Sequence, residues 1–181
     1  NVGLGATTTT ITILDDDEAT LDVLPSTTTE SNALAPMVLV SLSGVSEVAI
    51  RANYEVRATG TASNGTDFIE TSGFVEWAPF ETGLKTADVQ ILEDNVLEGA
   101  ETFEVVITSV VSTGAVVVGT GSSTATITDD DVVVISGTDA SVSEGAGPGT
   151  VTLSLSAPST SAVTVEYTLV SVTATAGADF T

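Results

Sequence analysis

Apolar and polar residues alternate with a period of two along several stretches of the chain. Val48, Ile50, Ala52, Tyr54 and Val56 are separated by Ala49, Arg51, Asn53 and Glu55, so an extended backbone puts the first set inward and the second in water. Phe103, Val105 and Ile107 alternate with Thr102, Glu104 and Thr108 in the same way, and Val163, Val165, Tyr167 and Leu169 repeat the pattern further on. No stretch carries an apolar stripe at helical spacing, while the abundant Thr and Val are β-branched and stiff at χ1. Turn signals stand at Asn64-Gly65 and between Gly145 and Gly149. The pattern predicts an all-β chain built as antiparallel, immunoglobulin-like β-sandwiches. Trp77, Tyr54 and Tyr167 are expected to pack in its cores.

The same landmarks recur at a spacing of about 112 to 114 residues, the length of one sandwich. Asp15-Asp16-Asp17 returns as Asp129-Asp130-Asp131, Glu30 as Glu144, and Gly65-Thr66-Asp67-Phe68 as Gly177-Ala178-Asp179-Phe180. Residues 1–17 therefore read as the last strand of one repeat, 18–131 as a complete repeat, and 132–181 as the first half of a third. The layout is that of a tandem array.

Charge narrows the chemistry. Three Lys+Arg stand against 25 Asp+Glu, a formal net charge of -22, which repels phosphate backbones and anionic lipid and sets nucleic acid and membrane surfaces aside as partners. With no Cys and no His, disulfides, nitrogen- or sulfur-ligated zinc and Cys- or His-dependent catalysis are excluded. Oxygen ligands remain, and carboxylates and carbonyls select hard cations, Ca²⁺ above all for irregular cages. The longest apolar runs, such as Val132 to Ile135, are too short to span a bilayer.

Most of the acids that could ligate fall in two segments. Glu93-Asp94-Asn95-Val96-Leu97-Glu98-Gly99-Ala100-Glu101 connects an expected strand Ala87 to Leu92 with another over Thr102 to Thr108. The triple Asp129 to Asp131 closes an expected strand Ser123 to Thr128. A charge run in a loop is ordinarily a solvated face. Consecutive acids at a strand end, recurring at a second strand end, favour ligation instead, because they repel one another unless a cation lies among them. The EF-hand pattern is absent, since Asp15 to Asp17 lack the glycine and the terminal bidentate Glu that it requires.

Taken in order, Gly60-Thr61-Ala62 through Thr66-Asp67-Phe68, Phe80-Glu81-Thr82, Leu92 to Phe103, Thr124 to Asp131 and Ser141 to Gly147 resemble the Calx-β family. That family is the calcium-binding sandwich of sodium/calcium exchangers, an integrin subunit and many bacterial surface proteins. The resemblance implies a calcium cluster drawn from Glu30, from Glu93, Asp94, Glu98 and Glu101, and from Asp129, Asp130 and Asp131, with the carbonyl of Val96 as a main-chain ligand. About three or four Ca²⁺ ions would nearly neutralise those eight carboxylates. One departure is that family members often carry an acid just before the Gly-Thr-Ala segment, where this chain has Thr59 and, in the third repeat, Ser171. One ion of the fullest cluster is therefore expected to be missing or weakly held.

The function expected from these features is that of a structural or adhesive calcium-binding module, with ions stiffening each sandwich and the joint to the next. The expected setting is an extracellular, bacterial-type surface protein, and the expected partners are neighbouring repeats and, beyond them, cell-surface, matrix or like subunits. A calcium-sensing regulatory domain and a subunit of an extracellular filament are the alternatives. An enzyme is not expected: a carboxylate-pair glycosidase needs one acid kept protonated and aromatic surface for a sugar. Asn64-Gly65-Thr66 fits a glycosylation pattern, but Asn-Gly is first a turn.

Overall fold

The computed structural model describes residues 5, 8–13, 16–31 and 33–181. Eleven strands are present among them, in the order β1 (Ala19–Leu24), β2 (Ser26–Thr29), β3 (Leu34–Ser43), β4 (Ile50–Arg57), β5 (Ser72–Trp77), β6 (Gly83–Gln90), β7 (Glu101–Val111), β8 (Val116–Val118), β9 (Ser122–Thr128), β10 (Ile135–Gly137) and β11 (Leu153–Leu155). Two sheets face each other, one ordered β6-β3-β1-β8 and the other β2-β9-β7-β4-β5, and β10 pairs with β11 in a separate hairpin.

Alternation does what the sequence pattern predicts in the central sandwich. Ile50, Ala52, Tyr54 and Val56 are buried while Arg51, Asn53, Glu55 and Arg57 stay partly in water. Phe103 and Val105 are buried on β7, with Ile107 packed against the same core. Trp77 is fully enclosed and its indole N–H donates to the carbonyl of Gly83 at 2.9 Å, which satisfies the one polar group that its burial would otherwise strand. Tyr54 is buried as expected.

Two strand pairs depart from a purely antiparallel plan. Pro25 has no N–H to offer a ladder, and the first strand breaks there: β1 lies in one sheet and β2 in the other. The last strand breaks in the same manner at Gly119 to Gly121, so that β8 pairs with β1 and β9 with β2, both in parallel. The crossing is held by hydrogen bonds from Gly119 N–H to Leu21 O (2.9 Å), from Val23 N–H to Thr120 O (2.9 Å) and from Thr120 N–H to the Asp22 carboxylate (2.7 Å). As a result β2 and β9 end side by side at the same pole, which places Glu30 next to Asp129.

The flanking segments differ from expectation. Among the described residues of 1–17 there is no strand, and Ile11 and Ile13 are exposed; Asp15 of the first Asp triple lies outside the described residues. In residues 132–181 the alternating Val163 to Leu169 stretch forms no strand either, and Tyr167, expected in a core, is 78% exposed. Residues 132–181 supply no opposing sheet to cover that face, and a two-stranded hairpin alone cannot bury it.

Candidate metal centre

The acidic pole is assembled by four segments that the fold brings together. β2 delivers Glu30, whose N–H donates to the carbonyl of Thr128 at 3.2 Å. β9 delivers Asp129, Asp130 and Asp131. The β6–β7 connection delivers Glu93, Asp94, Val96 and Glu98, and Glu101 opens β7. The fourth segment is the β4–β5 connection, which contributes Asp67. Beneath the pole the rings of Phe68 and Phe103 stack with centroids 4.4 Å apart, and they set the chain on either side of Asp67 and Glu101.

Local hydrogen bonds fix the acids. The Asp94 carboxylate accepts from the N–H of Val96 at 2.7 Å, which caps the start of its loop. Asp129 accepts from the N–H of Glu98 at 2.8 Å with one oxygen and from the N–H of Asp131 at 2.9 Å with the other, so a single side chain ties the β6–β7 loop to the end of β9. Asp130 accepts from the N–H of Ser31 at 3.2 Å and is exposed. On the far side, Gly60 lies so close to β7 that an added Cβ would sit 2.1 Å from the carbonyl oxygen of Thr102. Only glycine allows that approach, and it lets the N–H of Ala62 reach the Thr102 carbonyl and the N–H of Thr102 reach the Thr61 hydroxyl, each at 2.9 Å.

Two groups of carboxylates result. Glu30, Asp129 and Asp131 form one, and Asp67, Glu98 and Glu101 the other; in each, three oxygens lie within 4.8 Å of one another. Glu93 and Asp94 stand near enough to act on Glu30 electrostatically. Asp130 belongs to neither group: of the triple, Asp129 and Asp131 converge while the middle residue turns toward Ser31. Val96 is half-buried at the same loop and uses its N–H on Asp94. The two groups together hold five of the eight sequence-expected carboxylates and add Asp67, which composition and spacing did not single out as a ligand. Its signal was its recurrence as Asp179, which also fits a turn residue. Thr59, at the position where the family carries an acid, donates its hydroxyl to Glu104 at 3.2 Å.

The electrostatics of the pole are one-sided. Burial, then Asp94, Asp129, Glu98 and Glu93, push the Glu30 carboxyl up to about 7. Burial, then a side-chain hydrogen bond with Asp67 and the charges of Asp67, Glu98 and Glu30, push Glu101 up to about 7 as well. Glu93, Glu98 and Asp131 are raised by desolvation and by their acidic neighbours. The three cations of the chain are all engaged elsewhere: Arg57 pairs with Glu55 at 2.6 Å, Lys85 pairs with Glu81, and Arg51 lies 3.4 Å over the ring of Phe74. Meanwhile Glu101 Oε2 and Asp131 Oδ2 are buried with no hydrogen-bond partner. Each group thus contains one sealed carboxylate oxygen without a donor, which is where a hard cation with oxygen preference fits.

A two-sheet sandwich whose acids gather at one pole is the class that the fold and the site define. The chain belongs to the Calx-beta domain family, whose model matches residues 15–131 and again 128–181. Among solved structures it is similar to the apo form of the Calx CBD1 domain, with 25% identity and a TM-score of 0.55 over 62% of this chain and 98% of that one. It is also similar to a structure described as the calcium binding domain CBD12 of CALX1.1, with 26% identity and a TM-score of 0.53 over 61% of this chain and 44% of that one. The Calx CBD2 domain shares the fold at 14% identity and a TM-score of 0.52, over 61% of this chain and 86% of that one. No curated protein matches the chain.

Proposed function

We propose that this chain is a calcium-binding structural module in which ions at the acidic pole hold the sandwich together and stiffen its joint with the segment that follows. The observation that carries this reading is the pair of three-carboxylate groups, each with a sealed oxygen that lacks a donor and neither with a protein cation beside it. Carboxylates this close repel by roughly 3 kcal/mol per pair at an effective dielectric of about 20, and a divalent ion reverses the sign of that interaction. A solved relative described as a calcium binding domain supports the choice of ion. Glu30, Asp129 and Asp131 would hold one ion, and Glu93, Asp94 and the Val96 carbonyl, all on the β6–β7 connection, would complete its coordination.

The joint is supported by a second observation. Leu97, at the tip of the calcium loop, donates its N–H to Pro158 O at 3.0 Å and accepts at its carbonyl from Thr160 N–H at 3.1 Å and from the Ser159 hydroxyl at 3.2 Å. A short strand-like clasp therefore links the acid-bearing loop of the central sandwich to residues 158–160 of the following segment. Ordering the loop around an ion orders the clasp with it. An extracellular array of such modules, with neighbouring repeats as its partners and no catalytic role, is the setting we propose: calcium there supplies the cross-links that a chain without Cys cannot form.

Thermal unfolding of the 181-residue chain in millimolar calcium and in excess chelator tests the reading. Ligand present at about 100 times Kd stabilises by about 2.7 kcal/mol, so chelation is expected to lower Tm by on the order of 10 °C. Equal Tm values in calcium and chelator would overturn it.

A further inference from the structure

We infer that the β3–β4 loop of the central sandwich, at Val45 to Glu47, is a docking site for the leucine-bearing β6–β7 loop of another sandwich of the same kind, set before this one in an array. The inference rests on the joint described above and extends it to the pole opposite the acids. There β10 and β11 supply the guide, because they are paired in the register of β1 and β3: Ile135 pairs with Leu155 and Gly137 with Leu153, as Leu21 pairs with Leu42 and Val23 with Val40. Counting on from those pairs, Pro158, Ser159 and Thr160 occupy the places of Val45, Ser46 and Glu47. The residues that clasp Leu97 and the residues of the β3–β4 loop are therefore the same loop in successive repeats.

The two loops share a local conformation and differ in what reaches them. Val48 N–H donates to Ser46 Oγ and Ser161 N–H to Ser159 Oγ, both at 3.2 Å. The Ser159 hydroxyl donates to the Leu97 carbonyl, flanked by the Pro158 carbonyl and the Thr160 N–H, which hold the Leu97 backbone. The Ser46 hydroxyl instead turns back to the Val48 carbonyl at 2.9 Å, and the Val45 carbonyl and Glu47 N–H meet no hydrogen-bond partner among the described residues. Val45 is 59% exposed. The loop is nevertheless fixed, since the Ser46 carbonyl accepts from Phe80 N–H at 2.7 Å, and a preformed loop loses little freedom on docking. Beside it runs a cleft whose lining includes Ile13, Asp16, Asp17, Val45 and Glu47. The acids that end the preceding segment thus lie next to this loop, as Asp129 lies next to the loop of Leu97. An arriving loop with its own acids meets like charge there, which calcium would offset.

Exchanging residues 1–17 for a second copy of residues 18–131 puts Asp129 to Asp131 of that copy where Asp15 to Asp17 stand, and so places a complete sandwich before the docking loop. With the two copies isotope-labelled separately, amide hydrogen exchange in calcium compares the two Glu47 N–H groups. Exchange is expected to be slower by about tenfold or more at Glu47 of the second sandwich than at Glu47 of the first, whose loop meets no partner. Equal rates at the two, with the Thr160 N–H protected, would overturn the inference. A Thr160 N–H that exchanges as fast as Glu47 of the first sandwich would instead overturn the joint itself. Should the duplicated chain fail to fold, titration of the labelled, unaltered chain with unlabelled Thr160→Pro chain decides, because that variant's Leu97 carbonyl has lost a donor. The Glu47 amide resonance is expected to shift saturably; no shift at millimolar Thr160→Pro would overturn the inference.

Discussion

At the scale of single residues, the acidic pole ties stability to pH in a direction opposite to the usual one for carboxylates. Glu30 and Glu101 sit at about 7 in the folded chain against an ordinary 4.5, and Glu93, Glu98 and Asp131 are raised as well. Between about 4.5 and 7 the folded state therefore binds more protons than the unfolded one, so stability falls as pH rises through that window and levels off above it. In calcium-free buffer the urea midpoint is expected to decline from pH 4.5 to pH 7; a midpoint that climbs over the same range contradicts the arrangement. Saturating calcium is expected to remove the decline, because the ion favours the ionised carboxylates. Glu30→Gln keeps the side chain's shape and removes one of the buried charges. It is expected to flatten part of the decline while weakening calcium affinity by tenfold or more, both measurable on the same variant by unfolding and calorimetric titration.

Among the elements, the pole is built by strand ends whose positions depend on a few packing and backbone constraints. Gly60→Ala would drive a methyl group into the Thr102 carbonyl and is expected to cost about 1 to 3 kcal/mol by chemical denaturation, as overpacking does. Phe103→Ala removes the ring stacked on Phe68 and is expected to cost about 3 to 5 kcal/mol; a loss under 1 kcal/mol in either case would mean that the base of the pole is less rigid than described. The strands that bury one face were legible in the sequence, because Ile50 to Arg57 alternates strictly and Thr102 to Thr108 does so apart from Val106. So were both acidic segments, since a run of like charges at a strand end has few other uses. The sheet switch at Pro25 and at Gly119 to Gly121 was not legible, because alternation reports which face is buried and not which sheet a strand joins. Asp67 is a landmark in the sequence without being marked as a ligand: its local turn explains its recurrence, and only the folded chain shows Glu101 arriving beside it. Val163 to Leu169 has the alternation of a strand and forms none, because pattern without an opposing layer gives the backbone nothing to pack on.

For the whole molecule, the contrast is between a central sandwich with a continuous core and a following segment attached through the clasp at Leu97. Thr160→Pro deletes the N–H that reaches the Leu97 carbonyl. In solution scattering this variant is expected to show a broader distribution of distances between residues 18–131 and 132–181 even in calcium, while calcium uptake at Glu30, Asp129 and Asp131 persists. An unchanged distribution would show that the clasp is not what joins the two. Net charge of -22 also favours expansion through self-repulsion, so the unaltered chain is expected to be more extended in chelator than in calcium. The most direct measurement is an anomalous difference map from crystals of this chain grown in calcium. An ion is expected among Glu30, Asp129 and Asp131, with carboxylate oxygens at about 2.3 to 2.6 Å; a well-ordered pole with no ion there at saturating calcium would contradict a calcium role for the pole.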